Sequence, residues 1–336
     1  MSELENFQSP DRFQPSSENR LDLTEIQDKL NAVKQEIKKV IVGQDKVLDY
    51  LLLSILTGGH SLIEGLPGVA KTMMAKLLAK TINADFSRIQ FTPDLMPSDV
   101  TGTSILNMKT NEFEFIKGPI FGNIILIDEI NRSPAKTQAA LFECMSENQV
   151  TVDGTSYQLV LPFIVFATQN PVEQEGTYRL PEAQLDRFLF KIDVQYPDLD
   201  NEIEILKEQQ ERKNIDKTTL VNQVINALDI NRFQEIIKSI YVHEDLIKYI
   251  ATIVTQTRSN YNLFLGASPR ASIAILEASK ANAAMDGRDF VTPEDIKNVC
   301  YPILNHRVIL TPEKEMEGLT TNQVIEQIIE NINIPR

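Results

Sequence analysis

The eight residues GLPGVAKT, Gly65 to Thr72, decide how the chain is read. They fall one residue short of G-x-x-x-x-G-K-[ST], the glycine-rich loop whose backbone N–H groups cradle nucleotide phosphates. Ala70 stands where that pattern has glycine. The flanking sequence is what a phosphate loop needs: a short apolar run, SLIE, before it and a helical period, TMMAKLLAKTI, after it. Helix N-termini attract anions, because unpaired N–H groups and the positive end of the helix dipole meet there. In that setting Lys71 can reach the β- and γ-phosphates, and the Thr72 hydroxyl can bind Mg²⁺. Gly65, Pro67, Gly68, Val69, Ala70 and Met73 make up the rest of the candidate loop. Taken alone, the stretch reads equally well as a plain strand–turn–helix.

A second stretch, IILIDEINR, favours the nucleotide site. Four apolar residues, Ile124 to Ile127, deliver Asp128 and Glu129 to the end of a buried strand, where adjacent carboxylates need a cation or a polar pocket. Asp128 suits the outer sphere of Mg²⁺, and Glu129 can orient and deprotonate an attacking water. A third apolar run, FIVFATQNP, ends in Thr168, Gln169 and Asn170, and Asn170 suits a role beside the γ-phosphate. Two arginines are further candidates. Arg187 in LPEAQLDRF follows a short helix, and Arg270 in GASPRAS falls in the first turn of another. An arginine at a helix N-terminus opposes the dipole, so an anion is expected near Arg270, a nucleotide phosphate being the natural one. For either arginine alone, a structural salt bridge is the commoner explanation.

The wider sequence sets the architecture. At 336 residues the chain is long enough for two domains with cores of their own. Ten of its 13 glycines lie between Gly43 and Gly176, which places the tight turns in the first part and a mostly helical part after it. HSLIEG, FSRIQF, NIILIDEI and LPFIVFATQN are strand-length apolar runs separated by helical periods, the pattern of a parallel sheet flanked by helices. TEIQDKLNAVKQEIKKV is a helix with Ile26, Leu30, Val33 and Ile37 on one face, and Thr24 with Gln27 fits a capping box. Ser268-Pro269 and Thr292-Pro293 read as capped helix starts. The expected division is a mobile polar tail over 1–23, an αβα nucleotide-binding core over 24–197 and an all-α lid over 198–336.

Charge and composition exclude other classes. A net charge of −14 with no basic patch disfavours nucleic acid as a partner. No apolar run approaches a membrane span, and the polar start has no signal-peptide pattern, so a cytoplasmic protein is expected. Cys144 and Cys300 are too few and too distant for a metal knuckle, and the three histidines are scattered.

Seven ordered stretches, IVGQ, GLPGVAKT, TPDLMPSDVTG, IILIDEINR, FATQNP, LPEAQLDRF and GASPRA, together resemble the MoxR family of AAA+ ATPases. The resemblance runs from about Gln27 to Arg307, and alanine before the lysine is usual in that family. It implies an α/β P-loop fold, a parallel sheet sandwiched by helices, followed by an all-α lid and assembled as a homo-oligomeric ring, commonly a hexamer. It implies ATP and Mg²⁺ as cofactors and ATP hydrolysis as the activity. On the family motifs, Lys71 and Thr72 form Walker A, Asp128 and Glu129 form Walker B, and Asn170 is sensor one. Arg270 is then the sensor-two arginine and Arg187 the arginine finger, with Arg132 a weaker candidate. Val42 and Gly43 would line the adenine pocket. Arg179, where relatives carry proline, departs from the pattern.

Two insertions, SILNMKTNEFEFIKGPIF around a polar tip and QVTVDGTSYQLVLP turning at Asp153-Gly154, read as hairpins. Their tips hold a single lysine, Lys109, where a DNA-working projection needs several basic residues. The family likeness therefore implies a chaperone-like ATPase acting on protein clients, with von Willebrand factor A-type proteins as candidate partners. A nucleic-acid-dependent ATPase and a nucleotide-gated scaffold with little hydrolysis are the alternatives. Glu129 speaks against the scaffold, which needs no catalytic base.

Overall fold

The computed structural model describes residues 20–171, 178, 180–212 and 216–335. Most of the tail and Arg179 therefore lie outside the described residues. Two helices lead in, α1 (Thr24–Lys38) and α2 (Asp45–Thr57). The sheet region then runs β1 (Ser61–Gly65), α3 (Lys71–Thr81), β2 (Phe86–Gln90), α4 (Pro97–Thr101), β3 (Gly102–Asn107), β4 (Glu112–Lys117) and β5 (Ile124–Asp128). It continues through α5 (Ala135–Glu147), β6 (Gln149–Val152), β7 (Thr155–Gln158), β8 (Ile164–Gln169), α6 (Glu182–Leu185) and β9 (Phe190–Val194). The rest is mainly helical: α7 (Leu199–Arg212), α8 (Ala227–Lys238), α9 (Glu244–Ser259), β10 (Leu263–Leu265), α10 (Pro269–Met285), α11 (Pro293–Leu304), β11 (Ile309–Leu310), α12 (Pro312–Met316) and α13 (Thr321–Asn331).

The main sheet has the order β2-β5-β8-β1-β9, and each of its strand pairs is parallel. Alternation along the strands explains the layering. Ile124, Leu126, Ile164 and Phe166 join one apolar cluster with α1, α2, α3 and the later helices. Ile125, Ile127, Val165 and Ala167 join a second cluster with Leu141, Phe142 and Met145 of α5. Successive residues of a strand point to opposite faces, so near-continuous apolar runs are what a sheet covered on both sides requires. The expected αβα sandwich and helical lid are therefore present. Leu23 is 2% exposed and belongs to the first cluster, so the packed chain begins ahead of Thr24.

Two helix starts differ from expectation. Leu23, not Thr24, is the N-cap residue of α1, and the Thr24 N–H donates to Asp22 Oδ1 at 3.0 Å. Asp22 thus supplies a side-chain acceptor at this helix start, to the first helical N–H, and the expected capping box does not form. The Gln27 side chain lies instead against Gly287, where a Cβ would come within 2.6 Å of its Oε1. Ser268 is the N-cap residue of α10, but its hydroxyl donates to Asp186. Thr292 behaves as expected, donating from N and Oγ1 to Asp295 at 2.7 and 2.8 Å.

Both expected hairpins form. β3 pairs with β4 and β6 with β7, each antiparallel, and Asp153 (φ 50°) with Gly154 (φ 77°) makes the second turn. Phe115 of the first stacks on Tyr157 of the second with ring centroids 4.2 Å apart. The first tip is less polar than its sequence suggests, because Met108 and Phe113 are among the most exposed apolar side chains described.

Buried polar groups tie the layers together. Val165 N–H donates to His60 Nδ1 at 3.0 Å, so Nε2 carries the proton and donates to Met145 O at 3.1 Å. Burial pushes the His60 pKa down to about 4. His306 is likewise held below its usual range, first by burial and then by the Arg307 charge. Both cysteines are free and buried, and burial raises the Cys144 thiol to about 12.

Asp186, just after α6, is a junction between the sheet region and the later helices. It accepts from Arg307 Nε at 2.8 Å and from Ser268 Oγ at 3.1 Å. The Arg307 guanidinium also donates to the carbonyls of Phe188 at 2.8 Å and Ile303 at 2.9 Å. Arg307 is buried and Asp186 partly so, and Arg307→Ala removes the guanidinium's hydrogen bonds to Asp186, Phe188 and Ile303 together, a loss expected to cost about 3 kcal/mol of stability. Chemical denaturation checks this, and an unchanged midpoint would remove Asp186–Arg307 from the interactions that hold the two parts together.

Candidate functional site: a phosphate loop facing two carboxylates

The carboxyl ends of β1, β5 and β8 lie side by side, with Ile63 opposite Thr168 and Ile127 opposite Ala167. In open α/β sheets ligands bind beyond these ends. A cavity of about 630 Å³ opens there. Its walls include Pro67 to Met73 from the loop, Asp128 and Glu129 after β5, and Thr168 and Asn170 from the end of β8.

The loop geometry answers the question posed by Ala70. Ala70 is the N-cap residue of α3 with φ 60° and ψ 20°, the left-handed conformation that glycine would adopt freely. Retaining alanine there costs roughly 1–2 kcal/mol. The loop has therefore kept the phosphate-loop backbone without the usual glycine. Gly68 has φ 88° and nothing within 4 Å of a built Cβ, so its backbone conformation is the requirement. Gly65 differs: a Cβ there would meet Val194 O at 2.8 Å. Lys71 Nζ donates to Gly65 O at 2.5 Å, which holds the ammonium inside the loop.

Opposite the loop, Asp128 is 7% exposed and both its oxygens are engaged. Oδ1 accepts from Thr168 Oγ1 at 3.2 Å, and Oδ2 accepts from Arg88 Nε at 2.6 Å. Glu129 also has a left-handed backbone, φ 58° and ψ 53°. Its N–H donates to Thr168 Oγ1 at 3.0 Å, and its Oε2 accepts from Gln90 Nε2 at 2.9 Å. Arg132 Nη1 lies 3.2 Å from the same Oε2. Asn170 is 9% exposed. A backbone held off its preferred region at a carboxylate is a common sign of a functional constraint.

The donor set suits a magnesium nucleotide. Mg²⁺ prefers oxygen ligands and keeps several waters, and the Thr72 hydroxyl and Asp128 carboxylate line the same cavity. Lys71 and Lys76 add positive charge for phosphates, while Arg88 is paired with Asp128.

Of the residues nominated from sequence, Pro67, Gly68, Val69, Ala70, Lys71, Thr72, Met73, Asp128, Glu129 and Asn170 meet in this cavity. Gly65 sits behind the loop. Val42 and Gly43 are not among the lining residues; Gly43 (φ 73°) packs against Asn201 of α7. Arg187 is also outside, exposed, with Nη1 donating to Phe142 O at 2.7 Å and to Ser146 Oγ near the C-terminal end of α5. Arg270 is 67% exposed, and the anion it faces is Asp186, 3.8 Å from Nη1, where a phosphate was expected. The sequence reading missed the contribution of β2. Phe86, Arg88 and Gln90 project into the cavity from alternate positions. The alternation in FSRIQ was the available signal.

Comparison with known proteins agrees with this geometry. The model of the ATPase family associated with various cellular activities (AAA) matches residues 60–190, and that of the AAA lid domain matches residues 255–328. The chain is 47% identical to the YeaC protein of Bacillus subtilis, over 91% of this chain and 95% of that one. It is 41% identical to the chaperone MoxR1 of Mycobacterium tuberculosis, over 90% and 81%. A crystal structure described as a "putative ATPase" from Cytophaga hutchinsonii superposes with a TM-score of 0.86 at 47% identity, covering 94% of this chain and 97% of that one. Sheet, loop, paired carboxylates and lid define a P-loop ATPase fold of the AAA type. Within that class, the chain belongs to the MoxR family of AAA+ ATPases.

The strain at Ala70 is directly testable. Ala70→Gly is expected to raise stability by about 0.5–1 kcal/mol, the relief of the left-handed penalty less the added chain entropy of glycine. Ala70→Val, β-branched at positive φ, is expected to lower it. Thermal unfolding of both variants checks the pair, and equal destabilisation by glycine and valine would overturn the strain argument.

Proposed function

We infer that this protein binds and hydrolyses ATP with Mg²⁺, assembles as a homo-oligomeric ring, and uses the cycle to remodel or activate protein partners. The observation that carries the reading is the single cavity in which loop cations, Thr72, Asp128, Glu129 and Asn170 converge. Lys71 and the N–H groups at the start of α3 hold the phosphates. Thr72, and Asp128 through water, would hold Mg²⁺, which when bound would supply charge neutralisation at the phosphates. Glu129 orients the attacking water and accepts its proton, and Asn170 positions that water against the γ-phosphate. Val42 and Gly43 remain the proposed contacts to adenine.

The arginines extend the reading to assembly. Arg187 is exposed outside its own chain's cavity, and Arg270 pairs with Asp186, the residue before Arg187. Both therefore suit a neighbouring subunit's nucleotide better than their own. A head-to-tail contact that closes into a ring, such as a hexamer, brings them there. Arg132 faces its own Glu129 at 3.2 Å, which favours Arg187 as the trans-acting finger. Among the described residues no helix is long and apolar enough to cross a membrane, and a cytoplasmic setting is part of the proposal. Hairpin tips bearing Met108 and Phe113 and a single lysine favour polypeptide over nucleic acid as the client. The name of the mycobacterial chaperone points the same way, and von Willebrand factor A-type proteins are the proposed clients.

Glu129→Gln is expected to retain ATP affinity while turnover falls by about a hundredfold or more. Lys71→Ala is expected to weaken nucleotide binding by about tenfold or more. Radiolabelled-ATP turnover and equilibrium binding check these two, and undiminished affinity in Lys71→Ala would sink the site. Arg187→Ala is expected to lose turnover and to recover part of it in rings mixed with Glu129→Gln subunits. No recovery in demonstrated mixed rings would show that Arg187 is not a finger acting in trans.

A further inference from the structure

Among the described residues of the cavity, Asp128 is the carboxylate that the nucleotide reading assigns to metal, and a guanidinium already grips it. Arg88 Nε donates to Oδ2 at 2.6 Å, and Thr168 Oγ1 takes Oδ1 at 3.2 Å. Arg88 comes from β2, the edge strand beside β5, two residues before the position paired with Asp128. Asp128 is buried, whereas the Arg88 side chain is 53% exposed and has open solvent to move into. Arg88 also reaches towards Gln90 Oε1 at 3.5 Å, and Gln90 Nε2 holds Glu129 at 2.9 Å. One strand thus supplies partners to both acids, a cation to Asp128 and an amide to Glu129.

We propose that Arg88 is a displaceable counter-ion that competes with the divalent cation for Asp128. A buried carboxylate is costly without a partner, and Arg88 supplies one whenever metal is not bound. A divalent cation beside Asp128 brings like charge against the guanidinium, so the two occupy the carboxylate in alternation. Once displaced, the half-exposed Arg88 side chain swings off Asp128, and its weak contact to Gln90 goes with it. Metal arrival is in this way registered on β2, next to the residue that holds Glu129. Arg88 acts as a positioning residue through Asp128 and has no reacting atom of its own. The proposal rests on the nucleotide-site reading above, and its test separates the two.

The full-length chain is saturated with ADP, which has no γ-phosphate for Arg88 to meet, and Mn²⁺ is titrated by electron paramagnetic resonance. Arg88→Met and Arg88→Gln are measured beside the parent chain, the glutamine variant keeping a donor for Asp128 should the methionine variant fold poorly. Removal of the competing cation is expected to tighten Mn²⁺ binding about three- to fivefold, the range of a partly exposed ion pair. In an Asp128→Asn background the same substitutions are expected to leave Mn²⁺ affinity unchanged. ADP affinity measured in EDTA is expected to be the same with and without Arg88. Unaltered or weaker Mn²⁺ binding in the variants, or tightening that persists in Asp128→Asn, overturns the proposal while the site stands. A loss of ADP affinity in EDTA overturns it by making Arg88 a phosphate ligand. A parent chain that holds no ADP overturns both readings.

Discussion

The carboxylate of Asp128 closes a strand whose five residues are all buried, and much of the surrounding structure answers the problem this creates. Two adjacent acids at the end of such a strand need compensation, because an isolated buried charge is far costlier than any packing gain. Compensation comes from four directions. β8 gives the Thr168 hydroxyl, shared between Asp128 Oδ1 and the Glu129 N–H. β2 gives Arg88 and Gln90, and the turn after β5 gives Arg132. The loop after β1 adds Lys71 across the cavity. The sheet order, with β5 between β2 and β8, makes these contributions converge.

The loop after β1 carries the complementary constraint. Phosphate N–H donors are useful only if the backbone turns sharply into α3, and that turn requires a left-handed residue at position 70. Alanine pays the penalty in this chain, and the packing beneath sustains it: Val69 is 5% exposed, and Met74 and Ala75 are fully buried. A loop anchored by buried neighbours on its helical side can hold a strained residue that a free loop would relax. Strain at Ala70 and at Glu129 therefore sits on opposite walls of one cavity.

The fold was legible because it is written in strand-length, near-continuous apolar runs and glycine placement, signals that survive without tertiary knowledge. Four of the five strands of the main sheet fall on the apolar runs read from the sequence, and both hairpins turn where they were expected. The loop, Asp128, Glu129 and Asn170 were legible for a similar reason, since each lies at the end of such a run. What failed was whatever depends on a distant partner. Thr24 and Gln27 have the spacing of a capping box, yet Asp22 takes the backbone donor and Gln27 packs against Gly287. Arg88 and Gln90 alternate with Ile89, but alternation names a face without naming what that face meets. Only the pairing of β2 with β5 sets it against the two acids.

Arg187 and Arg270 carry the same lesson further. By the family motifs they have different names, Arg187 the arginine finger and Arg270 the sensor-two arginine. In the structure Asp186 draws Arg270, Ser268 and Arg307 together, immediately beside Arg187 in the chain. The Arg187 guanidinium is in turn docked near the C-terminal end of α5, where carbonyl oxygens favour a cation. Neither arginine thus needs a phosphate to account for its present partners, and neither is among the residues that line its own chain's cavity. In the proposed ring the pair would be offered as one unit, with the lid's position fixed relative to the finger by the buried Arg307–Asp186 contact.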